Sequence, residues 1–119
     1  NLLFGEDKRI KLCDFGSCTS HTIICDGKND ITRAEDDISK HSTLAYRSPE
    51  QIDLYLRKRI GEKVDVWALG VLLFKLTTGK TPFEDALGNV EKMGILNARV
   101  RFPEHFRYVV GFKVKPGVY

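Results

Sequence analysis

The sequence has few cysteines, little excess charge and no long apolar run, and each shortage removes a class of protein. Its three cysteines are an odd number, which does not suit a disulfide framework. Cys13, Cys18, His21 and Cys25 share one short window, yet that window lacks the paired C-x-x-C hooks of a structural zinc site. The cysteines read instead as loop or buried thiols of a reducing, cytoplasmic setting. The net charge is only +3, with basic residues interleaved among acids, so no nucleic-acid footprint is expected. The longest apolar stretch, Val64 to Leu76, is interrupted by Asp65 and Lys75 and is too short for a bilayer span. No signal peptide is read, because Asn1-Leu2-Leu3-Phe4 runs straight into charged residues. The chain begins without Met, so a start further upstream is expected.

What remains is the composition of a globular protein: 42% hydrophobic, 29% charged and 10% aromatic over 119 residues. That length allows at most one domain. That composition argues against disordered or collagen-like character. No internal repeat is visible.

Two apolar runs, Leu2-Leu3-Phe4 and Ile10-Lys11-Leu12-Cys13, flank the turn-like cluster Gly5-Glu6-Asp7-Lys8-Arg9. This pattern predicts a short β-hairpin. Residues 17–42 are polar without periodicity and read as one long loop, of the kind that is functional or mobile. Ser48 is the expected N-cap and Pro49 the first residue of a helix reaching about Arg57, with Gly61 as the break. The clearest helix spans about Glu62 to Thr78, closed by Gly79 with Pro82 beyond. Val66, Trp67, Leu69, Val71, Leu72, Leu73, Phe74 and Leu76 cover nearly its whole circumference. A helix apolar on all sides is one buried on all sides, and Trp67 reads as core. The rest of the chain can hardly surround such a helix. A third helix is expected over about Leu87 to Asn97. His21, His41 and His105 read as loop residues without catalytic duty, and residues 109–119 as a solvated tail that includes Lys113 and Lys115.

Four separated motifs carry the chemistry. Asp14-Phe15-Gly16 follows an apolar strand. Thr43-Leu44-Ala45-Tyr46-Arg47-Ser48-Pro49-Glu50 comes next, then Asp65-Val66-Trp67-Ala68-Leu69-Gly70, then Pro82-Phe83. Singly each is weak, but their order and spacing together are hard to reach by accident. Over about residues 1–108 the chain resembles the protein kinase family. The fold class this implies is α+β and mainly helical: a partial kinase C-lobe with a short hairpin, an activation segment and about three helices, followed by a divergent tail at 109–119. A finer likeness is to the Numb-associated kinases, which include the adaptor-associated and cyclin-G-associated kinases. It rests on Lys11-Leu12-Cys13-Asp14-Phe15-Gly16-Ser17, on the Thr43–Glu50 run and on Asp65 through Leu76. Ile52-Asp53-Leu54-Tyr55 and Ile95-Leu96-Asn97 add to it.

The resemblance implies a serine/threonine kinase using ATP and Mg²⁺. Asp14 matches the Asp of the DFG motif, and Asn1 matches the last residue of the catalytic loop. Mg²⁺ prefers hard oxygen ligands, so both are expected to hold metal, Asp14 as carboxylate and Asn1 as amide. Phe15 would pack into the lobe, and Gly16 would supply backbone freedom closed to other residues. Thr43 would face the catalytic loop and the incoming hydroxyl. Asp65 would bond backbone N–H groups of that loop, or simply complement the helix dipole. Glu50 would pair with an Arg beyond this chain. Ser39, Ser42 and Thr43 are candidate phosphosites, since a phosphate there could recruit Arg.

The resemblance also exposes gaps. No Gly-rich phosphate loop, strand Lys or partner Glu is seen, and the catalytic Asp would fall just before Asn1. This stretch alone is therefore expected to be inactive and to show no thermal shift with ATP-Mg²⁺. Its uncovered apolar helix is expected to cause aggregation or to recruit a partner. The likeness implies protein substrates, clathrin-adaptor subunits among them, and a cytoplasmic site peripheral to endocytic membranes. The alternative is a catalytically dead binding or decoy module, or a gene-model fragment. Sequence upstream of Asn1 distinguishes the two.

Overall fold

The computed structural model describes residues 1–102. The expected hairpin is present. Strand β1 (Leu2–Phe4) pairs antiparallel with β2 (Ile10–Leu12), placing Leu2 opposite Leu12 and Phe4 opposite Ile10. Lys8, at φ 59°, turns the chain, and the Gly5 N–H donates to the Arg9 carbonyl at 2.8 Å. All six strand residues are exposed.

The expected loop at 17–42 is overturned. Helix α1 spans Lys28–His41 and takes up most of it, so His41 is a helix residue. Only three of its residues face a core, Ile31, Ala34 and Ile38. Their spacing of three and four is helical, but so thin a stripe among charges reads as no pattern. Local chemistry completes the helix. The Asp30 carboxylate accepts from the Gly27 N–H at 3.0 Å, and Lys40 and His41 stand in the last turn, where cations suit the dipole.

Helix α2 is shorter than expected. It runs Pro49–Ile52, with Ser48 as N-cap and the Ser48 N–H donating to Gln51 Oε1 at 3.0 Å. The Asp53 carboxylate then accepts from the Tyr55 N–H at 3.0 Å. That bond favours a tighter 3₁₀ turn over Leu54–Leu56, which left-handed Arg57 closes.

Helix α3 spans Lys63–Thr78, and Gly79 ends it at φ 83° as expected. Helix α4 is only Lys92–Leu96. Residues 87–91 were expected to be helical, but an antiparallel bridge between Glu84 and Val90 takes that stretch instead. The Asp85 carboxylate there accepts N–H bonds from Leu87 and Asn89 at 2.8 Å each. The sequence expectation for 109–119, and for His105, lies outside the described residues.

Two apolar clusters hold these elements. One joins α1 to the chain around it: Cys25, Ile31, Ala34, Ile38, Leu54 and Ile60, with Ile23 and Val64 against them. The other centres on Val71, Phe83 and Ile95, flanked by Tyr46, Ile52, Trp67, Val90 and Val100. Helix α3 reaches both clusters. It is nevertheless not buried on all sides. Val66, Leu69, Leu73 and Leu76 form one stripe along it and are 55% to 71% exposed. Trp67 is half-buried, stacked on Phe83 at 5.7 Å between ring centroids. Among the described residues, no helix is long and apolar enough to cross a membrane.

Candidate active site

The hairpin register brings two of the expected site residues together. Beyond the Leu2–Leu12 pair, the Cys13 N–H donates to the Asn1 carbonyl at 2.9 Å. Asn1 therefore lies across the ladder from the residue that precedes Asp14. Both Asn1 and Asp14 are exposed. A carboxylate and an amide oxygen are hard donors that fit Mg²⁺, an ion that takes one or two protein ligands and keeps water and phosphate for the rest. Among the described residues no group of three or more His, Cys, Asp and Glu could enclose a metal.

The backbone freedom expected at Gly16 is found at Asp14. Asp14 is left-handed, at φ 62° and ψ 68°, and caps a 3₁₀ turn over Phe15–Ser17. Asp tolerates this region better than most residues because its short side chain can bond locally. Gly16 does not have a positive φ. A methyl group there would meet only Asp14 Oδ1, at an ordinary 3.6 Å. Phe15, expected to pack inward, is exposed by 61%.

The other expected residues lie apart from this pair. Thr43 is exposed and precedes a 3₁₀ turn over Leu44–Tyr46, its carbonyl accepting from the Tyr46 N–H at 3.0 Å. Asp65 is exposed in the first turn of α3. Among the described residues, no hydrogen bond or ion pair joins Thr43 or Asp65 to Asn1 or Asp14. Ser39 is exposed on α1.

Ser42 is a half-buried helix cap with four bonds. Its N–H donates to the Ile38 carbonyl at 3.0 Å, and its hydroxyl donates to the same oxygen. Its hydroxyl and carbonyl both accept from Arg47. Sequence reading quoted Arg47 inside a motif but gave it no role. The five-residue separation from Ser42 was the only available signal.

Two clefts flank α3. The first, about 770 Å³, is apolar and lined by Trp67, Val71, Phe74, Phe83 and Phe102, with Glu50 at its edge. The Trp67 indole N–H is buried without a hydrogen-bond partner among the described residues, an omission that ordinarily costs about 1–3 kcal/mol. Glu50 forms no ion pair among the described residues. The second cleft, about 690 Å³, is mixed, lined by Thr81, Glu84, Glu91 and Arg99 together with Phe83 and Met93. The hydrogen bonds from Asn89, Leu87 and Gly88 hold the Asp85 carboxyl below the usual carboxylate range.

Comparison with known proteins settles the family. The protein kinase domain model matches residues 1–111. The chain belongs to the protein kinase domain family. A probable serine/threonine-protein kinase of Dictyostelium discoideum is 48% identical over 104 residues, covering 87% of this chain and 9% of the relative. A second from that organism is 42% identical over 113 residues, 94% of this chain and 13% of the relative. The actin-regulating kinase PRK1 of Saccharomyces cerevisiae is 40% identical over 108 residues, 91% of this chain and 13% of the relative. The chain thus spans about a tenth of the length of such relatives. Two short strands and four α-helices among the described residues make it a partial, mainly helical kinase C-lobe. Kinases of this family use ATP and Mg²⁺ and act on protein substrates.

Proposed function

We propose that this chain is part of a serine/threonine protein kinase, in which Asp14 and Asn1 hold Mg²⁺ against the phosphates of ATP. The observation that carries this is the hairpin register, which sets Asn1 across from Cys13, the residue before left-handed Asp14. Bound Mg²⁺ would neutralise charge on the β- and γ-phosphate oxygens. The kinase domain is read as residues 1–108 with 109–119 as a divergent tail, although the family match runs three residues further, to 111. Thr43 positions the substrate hydroxyl, Asp65 braces the catalytic loop, and Glu50 and Trp67 serve the architecture. The finer reading is the Numb-associated branch, with clathrin-adaptor subunits as substrates at endocytic membranes. It is supported by the motif runs named above and by similarity to a relative named as an actin-regulating kinase.

Of the three candidate phosphosites, Ser42 has the best-prepared surroundings, because Arg47 already donates to its hydroxyl. A phosphate there would gain that cation. It would lose the hydroxyl donation to Ile38 and add negative charge at the C-terminal end of α1, where the dipole disfavours it.

The test is ATP-Mg²⁺ binding and phosphate transfer by the intact kinase carrying this segment. Asp14→Asn should lower kcat at least a hundredfold while the fold, read by circular dichroism, is kept. Wild-type transfer by the variant would sink the metal role. The 119-residue stretch alone is expected to show neither transfer nor a thermal shift with ATP-Mg²⁺. A second reading, a binding module, draws on the exposed α3 stripe. It gains if no catalytic Asp is encoded upstream of Asn1.

A further inference from the structure

Between Leu54 and Ile60 the chain makes an excursion that the metal site does not use. Both end residues are buried in the α1 cluster. Ile60 is pinned by reciprocal backbone bonds with Ile23, at 2.9 and 3.0 Å. The five residues between them, Tyr55, Leu56, Arg57, Lys58 and Arg59, are all exposed, Tyr55 by 77% and Leu56 by 50%. The loop is therefore fixed at its base and bare at its tip.

Three features of the tip bear on a ligand. It carries three consecutive cations, and Lys63 follows. Arg59 is engaged by Glu62 at 3.5 Å and Thr22 at 3.2 Å. Arg57 and Lys58 have no ion pair or side-chain hydrogen bond among the described residues. An aromatic and a leucine lie beside those cations in water. Arg57 is left-handed, at φ 51°, a conformation that costs a non-glycine residue free energy and often marks a functional position.

We propose that the Tyr55–Arg59 loop is a membrane-contact element, docking on an anionic bilayer surface. The charges suit lipid phosphates and carboxylates. The Tyr ring, with one apolar face and one polar tip, suits the headgroup layer, and Leu56 suits the acyl boundary. An acidic peptide is the less favoured partner, because extended peptides seat in grooves. Residues 55–59 are all exposed, and residues 54–60 line neither cleft described above. The inference is independent of the kinase reading, since no residue of the loop belongs to the metal site.

The experiment is co-sedimentation of the intact chain with phosphatidylcholine vesicles, with and without about one-third phosphatidylserine. Each cation held at an anionic leaflet raises partitioning about fivefold. The serine lipid should therefore raise binding at least tenfold, and added salt should remove the gain. Arg57→Gly should cut the gain about fivefold while keeping the fold, because glycine accepts the left-handed backbone. Lys58→Glu should cut it further, and Tyr55→Ser should weaken binding even at high salt. Adsorption through the apolar α3 stripe would be equal on both vesicles and blind to these changes. Equal partitioning on the two lipids, or wild-type partitioning by Arg57→Gly and Lys58→Glu, overturns the proposal. So does a soluble polyglutamate that competes fully at matched charge.

Discussion

Arg47 grips Ser42 twice, donating from Nε to its hydroxyl at 3.0 Å and from Nη2 to its carbonyl at 2.9 Å. Because Ser42 caps α1 and Arg47 immediately precedes Ser48 and Pro49, the grip ties the end of α1 to the start of α2. Thr43 lies between the tied points.

Arg47→Ala should therefore destabilise the chain by about 1–3 kcal/mol, the usual cost of losing charge-assisted bonds at a half-buried site. Hydrogen exchange should speed up at the amides of residues 38–42 and leave α4 unchanged. Arg47→Lys should rescue only part, since a point charge cannot reproduce the guanidinium fork. Unchanged exchange in Arg47→Ala would show the grip to be incidental.

The bare stripe on α3 sets the state of the 119-residue stretch in solution. Leu69→Gln with Leu73→Gln should shift it toward monomer in sedimentation velocity, because both side chains are more than half exposed. In the intact kinase the same pair should be destabilising, provided other parts of the domain cover the stripe.

Gly70 lies within α3, and a methyl group added there would meet nothing within 4 Å. Gly70→Ala should stabilise the 119-residue stretch by about 0.5–1 kcal/mol, the helix-interior difference between the two residues. Urea midpoints read this directly. Destabilisation would mean that the space is filled in solution.

Cys25 is buried, and its thiol is pushed up by desolvation first and then by the Asp30 and Asp26 carboxylates. The unfolded chain then loses this proton at a lower pH than the folded one. The stabilising contribution is whole below the unfolded thiol range and is lost as pH rises through the folded value. The urea midpoint should fall on the alkaline side, and Cys25→Ala should flatten that fall. At neutral pH, iodoacetamide should label exposed Cys18 well before Cys25.

Sequence reading succeeded where a signal was local. The hairpin, the Ser48-Pro49 helix start and the Gly79 stop each depend on residues adjacent in the chain. It failed at α1, because Ile31, Ala34 and Ile38 acquire meaning only when Leu54 and Ile60 pack on them from some twenty residues away. The C-terminal half of the expected helix to Arg57 failed for a different reason. There the Asp53 side chain competes with the helix for the Tyr55 N–H. Within the candidate site, the motif singled out Asp14 but not its left-handed backbone, since Asp adopts that region only in context. The Arg47–Ser42 pair escaped because no motif logic assigns it a partner.

Helix α1 also fixes how far the segment between Asp14 and Ser48 can reach. Its 14 residues would extend about 46 Å as open chain but span only about 21 Å when coiled. Some 25 Å of travel is thereby withdrawn from the stretch that links the DFG turn to the Ser-Pro-Glu helix. What can still swing is confined to the exposed residues 18–22, because Ile23 is bridged to Ile60 and Cys25 is buried, a short tether next to Asp14 rather than a long arm sweeping the face of the molecule.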